Sequence, residues 1–381
     1  MRLKEVFPAT KKEVYFNSGV MGLVPESTIK VIENYTRDLV AGFRGEKVEM
    51  TMWNEKKDNT KKVFASVIGA SVEEVAMTPN ATTGINTAMN MIPIKKGDNI
   101  VTTNLEFPMG AVVCANQKKR GAETRYIKGK NGIVDTVDFE KHVDDNTKII
   151  YIDHAGWFNG LLFDIKALAD LAHSHGAYLV VDATQTMGVL DWKISNSGVD
   201  FAATSTYKWL MGGSWAMSIG FLYANRKNIE ELSPLYVSGG SLEKTGEEDK
   251  GSYVDYVYKP RYSTRAMEIY RTADVSKIAV ENSMGVLLEH GMAEIEAYVK
   301  KIDTKLIDGL LERGYELQTP LEEERRIFLN VKVPDPGETV KKLEAEGVAV
   351  SGRVGGVRIS PHFYNTVDDV ERFFNAWDKI C

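Results

Sequence analysis

The chain of 381 residues has only two cysteines, Cys114 and Cys381, too few for a disulfide framework and in no zinc-binding pattern, which fits a reducing compartment. No apolar run approaches the length of about 18 residues that reads as a membrane span, and Met1-Arg-Leu-Lys-Glu-Val-Phe-Pro8 lacks the apolar core of a signal peptide. A cytoplasmic protein without membrane association is therefore expected. Lys and Arg form no block longer than Lys118-Lys119-Arg120, and the net charge is −6, so no nucleic-acid partner is expected either. Internal repeats and low-complexity segments are absent. His173 and His175, two apart on a helical pattern, point in different directions and cannot share a metal, since one helix face needs a spacing of three or four; solvated positions suit them. Glu322-Glu-Glu-Arg-Arg326 reads as a charged loop and Lys300-Lys301 as a polar helix face. What remains is small-molecule chemistry in a chain that is 43% hydrophobic and long enough for two or three domains.

From residue 60 to about 225, helical periodicity alternates with short β-branched runs such as Asn99–Thr103, Lys148–Ile152, Tyr178–Val181 and Ser218–Tyr223. That alternation predicts βαβ units and an α/β fold around a mostly parallel sheet. The plainest helix runs through Ile165–His173, with Gly176 placed to cap it. Cys114 falls near the start of another helix. Beyond Arg261, long helices are expected at Met267–Leu288 and Ala293–Glu312, then a strand at Arg326–Val333, a helix at Gly337–Glu346 and a last helix from Val367: a second, smaller α/β layer. Gly239–Gly251, polar and glycine-bearing, reads as a mobile surface loop.

The segment Tyr178–Lys208 carries the chemistry. One apolar run ends in Asp182-Ala-Thr-Gln185 and a second ends in Ser205-Thr-Tyr-Lys208, which places Lys208 26 residues after Asp182. Two adjacent strands would carry both residues at one sheet edge, where open α/β folds bind ligands. Pyridoxal 5′-phosphate (PLP) needs this pair: a carboxylate to keep the pyridine nitrogen protonated and a lysine to form a Schiff base with the aldehyde. Asn80-Ala-Thr-Thr-Gly-Ile-Asn86 follows a short strand and opens a helix, so its amides and hydroxyls suit a phosphate. From the residues alone, an ordinary cap by Asn80 or Thr82 is the stronger reading, because Ser, Thr and Asn are common caps.

Tyr15-Phe-Asn-Ser-Gly19, Thr78–Asn86, Leu105-Glu-Phe-Pro108, Val181–Gln185, Ser205–Leu210 and Arg358–Thr366, in that order and with those gaps, resemble the class V aminotransferases over nearly the whole chain. That branch of the fold-type-I PLP enzymes includes cysteine desulfurases, kynureninase, serine–pyruvate aminotransferase and the isopenicillin N epimerase group, and the last, with general aminotransferases, is the branch this chain resembles most. The resemblance implies a large PLP-binding domain over 16–285, built on a mostly parallel sheet of the seven-stranded type. It implies a small domain made of 1–15 and 286–381. It implies Ala81, Thr82, Ser205 and Tyr207 as phosphate ligands, with Tyr207 where relatives often carry His. Phe107 would stack on the ring, although a core Phe beside a turn proline is the alternative. Gln185 would donate to the phenolic oxygen, Asp182 would face the ring nitrogen, and Lys208 would hold the cofactor and move the α-proton. Arg358 would bind the substrate carboxylate and Gly19 would close over the substrate. Trp157 reads as pocket wall or core; Arg353 reads as ligand contact or loop charge.

Two departures limit the resemblance. Cysteine desulfurases carry a nucleophilic Cys shortly before the arginine segment, and Ala349–Val357 has none. Relatives place a Thr after an Arg-aromatic pair to reach the phosphate across a homodimer; here the segment reads Arg261-Tyr-Ser-Thr-Arg-Ala266, with Ser263 or Thr264 as candidates and Thr264 preferred. The expected activity is transamination of an amino acid, with epimerisation or β-elimination as alternatives and a catalytically silent binding homologue as the remote one.

Overall fold

The structure, a computed structural model, describes residues 3–40, 59–214, 217–237, 241, 261–268 and 272–380. The expected loop Gly239–Gly251 lies outside these residues apart from Ser241, which is buried.

Seven strands form the central sheet: β2 (Val75–Thr78), β3 (Asn99–Thr103), β4 (Glu123–Ile127), β5 (Thr147–Asp153), β6 (Tyr178–Asp182), β7 (Phe201–Ser205) and β8 (Gly220–Ala224). Their order is β2-β8-β7-β6-β5-β3-β4. Only β8 runs against its neighbours; the others are parallel. Apolar side chains leave both faces of the sheet. Ile150 and Ile152 join Leu179 and Val181 in one core. Ile149 and Tyr151 join Val180 in the other. A strand covered on both sides has no polar face, which is why these runs lack alternation in the sequence. The chain steps outward from β3 to β4 and then reverses through β5, β6 and β7, so the switch point lies between β3 and β5, at the carboxyl edge of the sheet.

The helix Ile165–Ser174 buries Ile165, Leu168, Ala169 and Ala172, and Asp164 caps it by accepting from the Ala167 amide. Gly176, at φ 67°, supplies the left-handed turn that ends it.

The smaller layer has an antiparallel sheet of β9 (Leu329–Lys332), β11 (Ser351–Arg353) and β12 (Gly356–Ile359), in the order β11-β12-β9. Beside it, β1 (Val14–Tyr15) pairs in parallel with β10 (Val348–Ala349), so the N-terminal segment belongs structurally with the C-terminal one. Helices Met292–Glu312 and Val367–Ile380 close its core, where Phe16, Leu306, Leu329, Phe373 and Trp377 meet.

Three expectations need correction. The helix expected from Met267 begins at Asp274, and Thr264–Met267 is a 3-10 turn. The reason lies at Glu268, whose carboxylate takes the Met77 amide at 3.2 Å and the Lys61 ammonium at 3.3 Å, fastening the segment to β2. The strand expected over Arg326–Val333 shrinks to Leu329–Lys332 because Arg326 is no loop charge: it is buried and paired with buried Asp303 at 2.9 Å. Cys114 lies near the end, not the start, of the helix Pro108–Asn116.

Candidate active site

Five of the parallel strands lead to one cleft as they leave the sheet. β2 runs through Asn80 into the helix Ala81–Met91; β3 leads to Glu106 and Phe107; β5 ends in Asp153, β6 in Asp182 and β7 in Ser205. The cleft is lined by Ala81, Thr82, Phe107, Trp157, Asp182, Gln185, Ser205, Tyr207 and Lys208, together with Asp153, Ala155 and Thr184. The first nine are residues singled out in the sequence. Asp153 and Thr184 were not, although both end or follow apolar runs at the same sheet edge.

Asn80 does cap the helix Ala81–Met91, accepting from the Thr83 amide at 2.9 Å, and its carbonyl takes the Gly84 amide at 3.2 Å. The cap and the ligand-facing turn therefore coexist. The Ala81 amide donates to Ser205 Oγ at 2.9 Å, which joins the two walls of this end of the cleft. Gly220 permits the approach, since a Cβ there would fall 2.5 Å from the Asn80 carbonyl carbon.

Lys208 sits on a loop whose shape is fixed by buried contacts. Thr206 donates from its hydroxyl to the Ile219 carbonyl at 2.8 Å, and its own carbonyl takes the Gly212 amide at 2.7 Å. Nε2 of His362, in the smaller layer, donates to the Trp209 carbonyl at 3.0 Å. Burial holds that imidazole neutral, at about 4, and Nδ1 accepts from the Phe363 amide. The Lys208 ammonium nitrogen lies 5.7 Å from the Phe107 ring centroid and 5.8 Å from that of Tyr207. Burial, reinforced by Arg358, pulls its pKa down from 10.5 to about 8, against the opposing pull of Asp182 and Asp153. Burial also raises the Asp182 carboxyl, offset by the Thr184 amide, which donates to Oδ1 at 2.8 Å, and by Lys208.

Gln185 is held at both ends of its amide: Oε1 accepts from Trp209 Nε1 at 2.8 Å, and Nε2 donates to the Gly19 carbonyl at 3.2 Å. Gly19 adjoins the cleft without lining it. Its amide donates to Ser360 Oγ at 3.0 Å, and a Cβ on it would lie 3.1 Å from the Arg358 guanidinium carbon. Arg358 is buried and donates from Nη1 to the Trp157 carbonyl, while Nε and Nη2 have no hydrogen-bond partner. Burial, with Arg353 nearby, lowers its pKa to about 9. Arg353 is half-buried and donates to the Gly352 carbonyl at 2.6 Å. Thr264 is elsewhere, in a separate cleft with Lys61, Lys62, Glu73, Arg261, Ser263 and Arg265, where its hydroxyl donates to the Glu73 carbonyl at 3.0 Å.

The donor set suits PLP. A helix N-terminus and Ser205 supply hydrogen-bonding groups at one end of the cleft, the primary amine of Lys208 opens into it, and the Asp182 carboxylate faces the same space. Two orphaned guanidinium donors beside the cleft match the carboxylate of an amino acid. The histidines offer no rival: His173 pairs with Asp200 and His175 with Asp145, and no metal-binding cluster occurs among the described residues.

Comparisons with known proteins agree with this geometry. The family model for class V aminotransferases matches residues 14–373. A probable cysteine desulfurase of Methanothermobacter thermautotrophicus is 26% identical, over 100% of this chain and 98% of its own length. An uncharacterised aminotransferase of Bacillus subtilis is 24% identical over 99% of this chain and 96% of its own. Among solved structures, a cystine C–S lyase in complex with its product, cysteine persulfide, superposes with a TM-score of 0.87 at 18% identity, covering 98% of this chain and 99% of that one, a likeness of fold. These relatives carry desulfurase, aminotransferase and lyase names, and the epimerase branch expected from the sequence is not among them. A family match over almost the entire length, on a fold-type-I scaffold, settles the kinship: the chain belongs to the class V aminotransferase family, a family of PLP-dependent enzymes.

Proposed function

We propose that the protein is a PLP-dependent enzyme that removes the α-proton of an amino acid, and we read it as an aminotransferase. The observation that supports this most is the convergence of three buried ionisable groups, the Lys208 amine, the Asp182 carboxylate and the Arg358 guanidinium, in and beside one cleft. Bound there, PLP would supply a ring that accepts the electron pair left when the α-proton departs. Ala81, Thr82, Ser205 and Tyr207 would hold its phosphate, Phe107 would cover one ring face, and Asp182 would face the ring nitrogen as an anion. Gln185, with one amide hydrogen engaged by Gly19, retains the other for the phenolic oxygen. Arg358 would orient the substrate through its carboxylate, beside the side-chain-free Gly19. Trp157, whose ring stands nearly perpendicular to that of Phe107 with centroids 5.7 Å apart, would wall the substrate side. Lys208 is the base: an amine with a pKa near 8 is partly free at neutral pH and can take the proton from Cα at Nζ and return it.

A second reading, β-elimination from a sulfur-bearing amino acid, is supported by the desulfurase and C–S lyase names of the relatives. Residues 349–357 contain no cysteine, and Cys114 is buried in the core with its thiol pushed up by burial. Among the described residues no thiol adjoins the cleft, so in this reading the sulfur leaves with a small-molecule product. We also propose a homodimer in which Thr264, in its own basic cleft, completes the partner's phosphate site.

Incubating the holoenzyme with a panel of L-amino acids and identifying products distinguishes the readings: keto acid with conversion of the cofactor to its amine form means transamination, and keto acid without it means elimination. Lys208→Ala should abolish the covalent cofactor adduct fixed by borohydride; an intact adduct in that variant would place the cofactor on another lysine. Replacing Asp182 by Asn removes the anion and should lower kcat on the order of 10²–10³-fold, so activity within a few-fold of wild type would move the carboxylate role elsewhere. Lys208 also sets a stability signature of the cofactor-free protein. Its folded pKa of about 8 lies below the ordinary 10.5, so between these values the unfolded chain holds a proton that the folded one has released, and stability gains a component that rises with pH. The difference in unfolding free energy between wild type and Lys208→Met should climb across that window; a level difference would disprove the depressed pKa. If the subunits complete each other's sites, dilution should release PLP, and a monomer in the ultracentrifuge that keeps PLP and turns over substrate would overturn the dimer.

A further inference from the structure

Glu106 and Asp153 are buried beside the cleft and take no part in the chemistry above. Asp153 ends β5 directly opposite Asp182 on β6, and both line the same cavity. Its Oδ2 accepts the Phe107 amide at 2.6 Å, and its Oδ1 accepts the Tyr151 hydroxyl at 3.2 Å. Behind it, Glu106 receives the Thr103 hydroxyl at 2.6 Å on one oxygen and the Asp153 amide on the other. Phe107 needs such an anchor. Its side chain is 39% exposed and meets Trp157 only edge-on, so packing alone does not hold the ring. The residue caps the helix Pro108–Asn116 without any side-chain hydrogen bond, so beside the Glu106 carboxylate it is its own amide that ties it to the sheet.

Resting on the cofactor-binding reading of the cleft, we propose that Asp153 is a positioning residue: its carboxyl, seated by Glu106, pins the Phe107 amide and so sets the height of the aromatic ring over the bound cofactor. Glu106 accepts on both oxygens, as a carboxylate does, and although burial raises it to about 7 it is the member of the pair that ionises first. Asp153, raised well above the ordinary range by burial and by Glu106, keeps its proton. A neutral Asp153 leaves Asp182 as the anion of this part of the cleft and avoids two like charges at paired strand positions.

The proposal separates Asp153→Asn from Asp153→Leu. Asn retains an oxygen for the Phe107 amide and an amide group to meet the Tyr151 hydroxyl; Leu retains neither. PLP is titrated into cofactor-free protein, affinity is read from quenching of tryptophan fluorescence, and the visible circular dichroism of the bound cofactor reports its seating. Asp153→Leu should weaken PLP binding roughly three- to ten-fold, the worth of one offset aromatic stack, and change the dichroic band. Asp153→Asn should match wild type in both. In a Phe107→Ala background, Asp153→Leu should add no further loss, because it acts through that ring. Should the Leu variant fail to fold, Asp153→Thr, which keeps a polar group at this buried position but is too short for the Phe107 amide, must show the same weakening. Wild-type affinity and dichroism in the Leu or Thr variant, an Asn variant as weak as Leu, or an undiminished loss without Phe107 would each overturn the assignment. A wild-type protein that takes up no PLP would overturn the cofactor reading itself, an outcome distinct from a PLP-binding protein indifferent to Asp153.

Discussion

Burial of charge at the carboxyl edge of the sheet is the constraint on which the rest of this structure turns. Lys208, Asp182, Asp153, Glu106 and Arg358 are all removed from water within a few strands of one another. An isolated charge in such a place costs several kcal/mol, and the protein meets that cost in different ways on each side of the cleft. On the anionic side, Glu106 collects hydrogen bonds, and burial and Glu106 together push the Asp153 carboxyl up. On the cationic side, Arg358 keeps two donors without a protein acceptor, and Lys208 gives up its proton more easily than an ordinary lysine. That imbalance matches the anionic ligands of the proposed function, a phosphate ester and an amino-acid carboxylate.

Holding reactive groups in this state demands a rigid frame, and the frame comes from close backbone approaches. Gly22 lies so near the Lys208 carbonyl that a Cβ would sit 2.0 Å from it, and Gly188, at φ 105°, lies against the Trp209 backbone. Met211, three residues beyond the lysine, adopts a left-handed φ of 55°, an uncommon conformation for such a side chain and one the neighbouring contacts must enforce. The N-terminal segment adds a third clasp: the Ser18 hydroxyl shares a hydrogen bond with that of Tyr364 at 2.6 Å, and the Gly22 amide donates to the Tyr207 carbonyl at 2.9 Å. Chain regions more than three hundred residues apart thus meet at one lysine.

The legible part of this arrangement was the part written in consecutive residues. Asp182 and Lys208 end apolar runs, and Asn80–Thr82 opens a helix, so a strand-end cluster could be inferred without coordinates. Arg326 shows what was hidden: in a run of charges it reads as solvent-exposed, and only the approach of Asp303 from another helix makes it a core residue. The start of the helix at Asp274 was equally hidden, because the tie from Glu268 to β2 joins positions nearly two hundred apart. Asp153 was overlooked for a different reason. It follows the apolar run Lys148–Ile152 as Asp182 follows its own, but a carboxylate at a strand end is often a turn residue, and only the register that sets it opposite Asp182 gives it meaning.

The segment leading to Arg358 carries the last constraint on function. β11 and β12 close on the pair Arg353 and Gly356, leaving Val354 and Gly355 as a two-residue turn, both with positive φ, at 44° and 76°. Such a turn suits the twist of a tight hairpin and has little freedom to extend. Gln318 ties it further, donating to the Val354 carbonyl at 2.8 Å, and Asn330 donates to the Arg353 carbonyl at 3.0 Å. A nucleophile carried toward the substrate from this direction would need a residue able to swing over the cleft, and the hairpin supplies neither the length nor a thiol. Its rigidity serves a different end: it fixes Arg358 one strand away, at the pairing of Arg358 with Ser351 and Asn330, so the guanidinium is placed by sheet register rather than by loop motion. In the proposed reaction the proton transfers fall to Lys208, which the frame holds at the wall of the cleft while Arg358 is held by the sheet.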